Sequence, residues 1–372
     1  DCLLSRGLGD VYKRQLPENA SMSLNAVNHR RVLHRMPELD DELPDTTAYV
    51  RKVLEPLGAE VFSPIKGSVC AYFDAGAEET VALRADMDAL PVTECTGLFF
   101  ASERPGRMHA CGHDGHTAIE LGLAEETARM IRAGEKLPRN VLFVFQPAEE
   151  TTGGAGRICE TGVFEKYRVT RIFGLHLWPN LPEGSVWSRP GPMMARSNEV
   201  TLKVTGRSVH VSRAAEGLDA LRAGVDWMNA AYAWTEALPP DVLRTLQFGR
   251  MTAGTVRNAV AGSAEIQGTL RTYDEDAAEM IRSHLRTLAA ETAERTGCGL
   301  EVSFSTGYPA VWNNETLFER VSRDLGADAP QLLAEPVLAA EDFSFYQRCI
   351  PGVFFFLGVG PAHELHLSLI HI

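Results

Sequence analysis

The run Val141-Leu142-Phe143-Val144-Phe145-Gln146-Pro147-Ala148-Glu149-Glu150 constrains this chain more than any other segment. It reads as a buried strand that delivers two adjacent carboxylates to its own tip. Carboxylates in an apolar interior need a cation or a proton. Upstream, Met108-His109-Ala110-Cys111-Gly112-His113-Asp114-Gly115-His116 gathers three imidazoles, a thiol and a carboxylate in one short stretch. A Cys-x-His pair converges on one ion where the backbone turns, with zinc–sulfur near about 2.3 Å and zinc–nitrogen near about 2.0 Å. Gly112 and Gly115 permit such a turn. An isolated Cys-x-His is more often a buried thiol beside surface histidines, but the density of donors here favours a metal site suited to hydrolysis.

The rest of the chain supplies a frame for that site. A helix is expected from Asn25 to the break at Pro37, a second over Thr46–Leu57, strands at Val69–Phe73 and Thr80–Ala85, and a helix over Thr117–Ala133. After the Val141 strand, a Gly-rich turn from Thr151 to Gly156 opens another helix, and Arg171–Leu177 reads as strand. Alternating apolar strands and helices imply an α/β domain with a mainly parallel sheet covered on both faces. Near Ser197 the rhythm changes. Glu199 to Thr205 alternates with period two, and Leu218–Trp234 reads as one long helix. Strands at Thr245–Thr252 and Ala264–Thr272, a helix at Asp274–Arg295 and a strand at Leu300–Ser305 complete a strand-helix-strand-strand-helix-strand module. The α/β rhythm returns at Phe343 and Val353–Gly358, so this α+β module is expected to be inserted. The catalytic domain would comprise residues 22–196 and 309–366, and the insert 197–308.

At 372 residues, 45% hydrophobic and 23% charged, the chain is long enough for one large or two moderate domains. The formal charge of −13 and the lack of a basic run argue against nucleic acid. No apolar stretch approaches the roughly 20 residues of a spanning helix, and no signal-peptide core is read at the start. Seven cysteines with no CxxC and no regular spacing are expected to be reduced, which points to the cytoplasm. A small-molecule substrate is the expected partner.

Three further sets of residues belong to the site question. Asp86 and Asp88, in Leu83-Arg84-Ala85-Asp86-Met87-Asp88-Ala89-Leu90-Pro91, share one side of a strand end, where open α/β sheets place ligands; alone they could equally be solvated turn residues. His176, in Gly174-Leu175-His176-Leu177-Trp178-Pro179, ends another core strand, where a lone histidine is usually a satisfied core residue. His210 and Arg271 would, on their own, be read as surface residues.

Taken in order, Leu-Arg-Ala-Asp-Met-Asp-Ala-Leu-Pro, Met-His-Ala-Cys-Gly-His-Asp-Gly-His-Thr-Ala, Phe-Gln-Pro-Ala-Glu-Glu, Gly-Leu-His-Leu-Trp-Pro, Gly-Thr-Leu-Arg-Thr and Glu-Asp-Phe-Ser-Phe-Tyr resemble the signatures of the M20 metallopeptidase superfamily. More narrowly, they are similar to its amidohydrolase branch of N-acyl-amino-acid, hippurate and indole-acetyl-amino-acid hydrolases. The resemblance runs from about Arg30 to His366. It implies two divalent ions (Zn, Mn, Ni or Co) held by Cys111, His113, Glu150, His176 and His366, with Glu149 as general base and Asp86 and Asp88 supporting the ligands. Adjacent carboxylates cannot both ligate one centre with good geometry, which also splits the pair into one ligand and one base that reaches water. The insert resembles the family's lid and dimerisation domain, so a homodimer is implied. There His210 matches the oxyanion-stabilising histidine, and Asn258 and Arg271 match positions that hold a substrate carboxylate, a task suited to a planar guanidinium.

The implied reaction is hydrolysis of the amide of an N-acyl amino acid or a related conjugate. A dipeptidase or aminopeptidase of the same superfamily and an inactive acyl-amino-acid binder are the alternatives. The common Gly-Gly-His-Ala-Ala-x-Pro-His appears here as Ser208-Val209-His210-Val211-Ser212-Arg213-Ala214-Ala215, and Asn-Val-Ile-Pro as Asn258-Ala259-Val260-Ala261. These departures bear on the acyl preference. Residues 1–15 and 367–372 resemble translated adapter sequence, with Met22 a native start, so Cys2 and His371 are expected to carry no function. His366 is then expected on an unsupported end, with one weakened metal site.

Overall fold

A computed structural model describes residues 18–361 and 365–368, with side chains from Asn25 onward. The expected foreign start, 1–15, and residues 369–372 of the expected foreign end lie outside the described residues. The described residues divide into two compact units, one within 18–191, 313–334 and 345–368, the other of 192–312 and 335–344.

The first unit is built on an eight-stranded sheet, in the order Glu60–Phe62, Val69–Phe73, Asn140–Gln146, Thr80–Asp86, Val169–Trp178, Gly352–Gly358, Val186–Ser188, Gln331–Leu332. The sheet is mixed, with the expected parallel pairing along its central strands and between Val186–Ser188 and Gln331–Leu332. Parallel pairing joins Asn140–Gln146, Thr80–Asp86, Val169–Trp178 and Gly352–Gly358 at the centre, while antiparallel partners lie to either side. The central strands are the most apolar, as parallel strands covered on both faces must be. Phe143, Phe145, Val69, Ala71 and Phe73 pack with Val50 and Leu54 of the helix Pro44–Leu54 and with Leu121, Ala124 and Ala128 of the helix His113–Arg132.

Register turns this sheet into a platform. Asp86 pairs with Gln146, and His176 with Phe356. The loops that follow the parallel strands therefore leave from one edge, where such sheets place their ligands.

In the second unit, the strands Arg196–Thr205, Arg244–Ala253, Ser263–Thr272 and Gly299–Phe304 form an antiparallel sheet, with the first flanked by the last and by Ser263–Thr272. Inward Val200, Leu202 and Val204 pack with Trp227 of the helix Ala220–Glu236 and with Ile281 and Leu285 of the helix Glu275–Thr296. Alternation along the first strand is what one covered and one open face require. Asp219 and Asp274 cap the two helices by accepting the amides of Arg222 and Ala277. Among the described residues, no helix is long and apolar enough to cross a membrane.

Candidate metal centre

The strand Thr80–Asp86 carries a buried ion pair to its tip. Arg84 donates to Asp86 Oδ2 at 2.9 Å and to Gln146 Oε1 at 2.8 Å, and Tyr346 donates to the same Gln146 oxygen at 2.9 Å. Burial works against the Asp86 carboxylate, but His113, Arg84 and His116 outweigh it and hold it well below the usual range. Asp88 has a different task. Its two oxygens accept the backbone amides of Glu149 at 3.0 Å and Glu150 at 3.1 Å, clamping the turn that bears both acids. That turn begins with Ala148 at φ 58°, a left-handed conformation costing roughly 1–2 kcal/mol for a residue with a Cβ. Strain of this kind persists where surrounding bonds over-determine it.

The helix expected from Thr117 begins at His113 instead. Gly112, at φ 93°, ends the preceding loop in a left-handed conformation, which lets the next residue enter the helix immediately. A Cβ on Gly115 would lie 2.4 Å from Leu177 Cδ1, so the first helical turn presses against the end of strand Val169–Trp178. Arg30 and His34 both donate to Asp114 Oδ2, at 2.8 and 2.7 Å, and anchor that turn from behind.

His113 donates Nδ1–H to the Asp88 carbonyl at 2.8 Å, because a carbonyl can only accept. Its Nε2 is buried, as is Glu150 Oε1 at 3.8 Å, and neither has a hydrogen-bond partner among the described residues. His176 likewise donates Nδ1–H, to the Leu177 carbonyl at 2.7 Å, which leaves Nε2 turned to Cys111 Sγ at 3.3 Å. On the other side of the thiol, His366 Nε2 stands 3.3 Å from Sγ and 3.4 Å from Glu150 Oε1.

The expectation that His366 is poorly placed is therefore corrected. Its amide donates to the Ala110 carbonyl at 2.9 Å, Leu365 packs on Met108 and Ala110, and Cys95 donates to the Ser368 carbonyl at 2.7 Å. Local pairing seats the imidazole, and His366 itself is left-handed at φ 66°.

Three groups of donors follow, each with ligand atoms within 4.8 Å of one another: Cys111, His113 and His176; Cys111, Glu150 and His366; His113, Glu149 and Glu150. The first two share the thiol. The electrostatics fit a divalent ion. Burial pulls the His113 imidazole down, yet Asp86, Asp88 and Glu150 hold it up at about 10. Burial, reinforced by Glu150, Glu149 and Asp86, pushes the Cys111 thiol well above its ordinary value. His176 is driven well below 6.5 by burial first and His116 second, so it stays neutral, as a ligand must. A cation would take the place of the proton on His113 and allow Cys111 to bind as thiolate.

His116 also lies against Asp86 and His113, but it is no ligand. Its Nδ1–H donates to Asp86 Oδ1 at 2.6 Å, and its Nε2 accepts the Leu177 amide at 2.9 Å, so no lone pair remains. His116, Arg84 and Gln146 have no separate role legible in the sequence. Their one signal is position, inside three of the motifs that carry the expected site residues.

His210, Asn258 and Arg271 lie in the second unit. His210 caps the turn Val211–Glu216, bridges to Ala259, and stands beside Asn258, whose carbonyl accepts the Val211 amide. Arg271 faces a cleft of about 500 Å³ with Ser197, Glu199, Gln247, Arg250 and Gln267. Burial lowers its pKa, and it makes no ion pair among the described residues.

Residues 82–370 match peptidase family M20/M25/M40. An uncharacterized hydrolase of Staphylococcus haemolyticus is 34% identical, over 89% of this chain and 87% of its own length. The crystal structure of a dinuclear metal-binding M20 peptidase from Bacillus subtilis superposes with a TM-score of 0.81 at 31% identity, covering 95% of this chain and 93% of that one. An aminobenzoyl-glutamate utilization protein from Klebsiella pneumoniae shares the fold, at TM-score 0.65 and 21% identity over 91% and 92% of the two chains.

Proposed function

The chain belongs to the M20/M25/M40 peptidase family and is a metal-dependent hydrolase; from that premise we propose that it cleaves the amide of N-acyl amino acids or related small conjugates at a two-metal centre. One observation carries the two-metal reading: donors lie on both sides of Cys111, with His113 Nε2 and Glu150 Oε1 buried and without a hydrogen-bond partner among the described residues. Cys111, His113, His176, Glu150 and His366 would hold the ions. Mixed sulfur, nitrogen and oxygen donors accept Zn, Mn, Ni or Co.

When bound, the metals supply Lewis acidity, polarising the scissile carbonyl and acidifying water. Glu149 takes the proton from the attacking water and returns it to the departing amine. The Asp88 clamp holds Glu149 and Glu150 in one arrangement, so that one carboxylate serves as base while its neighbour binds metal. His210 stabilises the oxyanion, and Arg271, with Asn258, receives the substrate carboxylate; the unpaired guanidinium at its cleft supports that assignment. We place the enzyme in the cytoplasm, since the described cysteines are all free. A homodimer would pair through the second unit, where strand Arg244–Ala253 is a sheet edge.

The test is a screen of metal-reconstituted protein against hippurate, acetyl-methionine and unblocked dipeptides. Turnover of the acylated compounds that vanishes with a chelator and returns with metal is the expected result. Preference for the free dipeptides would replace this reading with a dipeptidase, and metal binding without turnover would replace it with a binder.

A further inference from the structure

The ladder between Thr80–Asp86 and Val169–Trp178 ends at Gly174, so the last residues of the second strand lack a strand partner on that flank. Leu177 finds imidazoles instead. Its amide donates to His116 Nε2 at 2.9 Å, and its carbonyl accepts His176 Nδ1–H at 2.7 Å. His116 is held in turn by Asp86 at 2.6 Å, and Asp86 by Arg84 at 2.9 Å. The His116 and His176 rings meet edge to face at 4.6 Å. Each of these four side chains is almost wholly buried.

We propose that His116 is a positioning residue for His176: it holds the Leu177 main chain, whose carbonyl sets the tautomer and rotation of the His176 ring. The inference rests on the metal reading of the site. Two features make the path specific. Nε2 of His116 can accept only if unprotonated, and Nδ1 then carries the hydrogen that Asp86 receives, so both ends of the ring are committed. The helical turn that carries His116 also packs on the Leu177 side chain, at Gly115, so His116 and Leu177 are held together at both main chain and side chain. Outer partners of a ligating histidine raise its basicity and orient it, and losing one typically costs about 10- to 100-fold in metal affinity. Here the partner acts through a main chain rather than touching the ligand's nitrogen.

Cobalt(II) ions alone serve as the probe, read by competition titration and by the visible spectrum, with circular dichroism as the folding control. His116→Met fills the same space without an acceptor and should weaken one of the two cobalt sites about 10- to 100-fold and shift its bands. His116→Gln keeps an amide oxygen for Leu177 and should recover most of that loss. In a His176→Ala background, His116→Met should change affinity by less than about twofold, since a residue acting only through His176 has nothing left to act on. If the methionine is not accommodated, His116→Ala takes its place against His116→Gln. Wild-type affinity and spectrum in the folded Met or Ala variant overturn the proposal, as does an undiminished effect in the His176→Ala background. Wild-type protein that takes up no cobalt overturns the metal reading itself, and the positioning role with it.

Discussion

Asp88→Asn tests the clamp with a change of one atom. The carboxylate accepts two amides, from Glu149 at 3.0 Å and Glu150 at 3.1 Å, and is buried. Asparagine keeps one acceptor and turns the other into an N–H facing an N–H. The lost bond to a charged group amounts to about 1.5–3 kcal/mol, and the stranded buried donors add about 1–3 kcal/mol. A penalty of roughly 3 kcal/mol or more exceeds what the left-handed Ala148 turn can absorb, so the turn opens before the domain unfolds. At about 1.4 kcal/mol per tenfold, metal affinity should fall about 100-fold, with a much smaller loss in global stability. Cobalt titration against a competing chelator, run beside urea unfolding, separates the two. Unchanged cobalt affinity in a folded Asp88→Asn protein would refute the clamp, and equal losses in both measurements would show that Asp88 supports the fold rather than the turn.

Glu149→Gln should bind metal nearly normally and lose several orders of magnitude in turnover, whereas Glu150→Gln should lose metal; equal metal loss in both would show that the roles are wrongly divided. Cys111→Ala should reduce occupancy at both sites, since the thiol belongs to both donor groups, and elemental analysis showing two ions would contradict it. Arg271→Ala should chiefly raise KM for carboxylate substrates and leave their neutral amides little affected; equal effects on the two would remove it from the anchor role. Burial, only partly offset by Asp114, lowers the His109 imidazole from 6.5 to about 3. The unfolded chain therefore takes up a proton below pH 6.5 that the folded chain refuses, so stability is full above 6.5 and is lost as pH falls toward 3. Between pH 7 and pH 5 the wild type should lose about 2 kcal/mol more than His109→Phe in urea unfolding, and parallel curves would contradict it.

Much of the fold can be read locally. The alternation of Glu199–Thr205 and the strand-helix order after Ser197 recur in the structure, the strand starting earlier, at Arg196, because period and capping act over a few positions. Cys111 and His113 stand one residue apart and were bound to meet around Gly112. Glycine at 112 was visible too, but not that it would start the helix at His113. Sheet direction was legible only at the centre, since the short flanking strands carry no mark of which way they run.

The site itself divides along the same line. Residue types and spacing within motifs determine which donors exist: a thiol, imidazoles and paired carboxylates. Which of those donors has a lone pair to spend is decided by competing partners brought from far along the chain. The spacing of the motif does not show that the Leu177 amide occupies the His116 nitrogen, nor that Asp88 gives its support by holding the amides of Glu149 and Glu150. His366 looks unsupported until Ala110 and Met108 seat it. Sequence by itself determined the chemistry on offer, through local spacing; only the tertiary structure determined its availability, because hydrogen-bond competition is settled between residues that the chain alone does not place together.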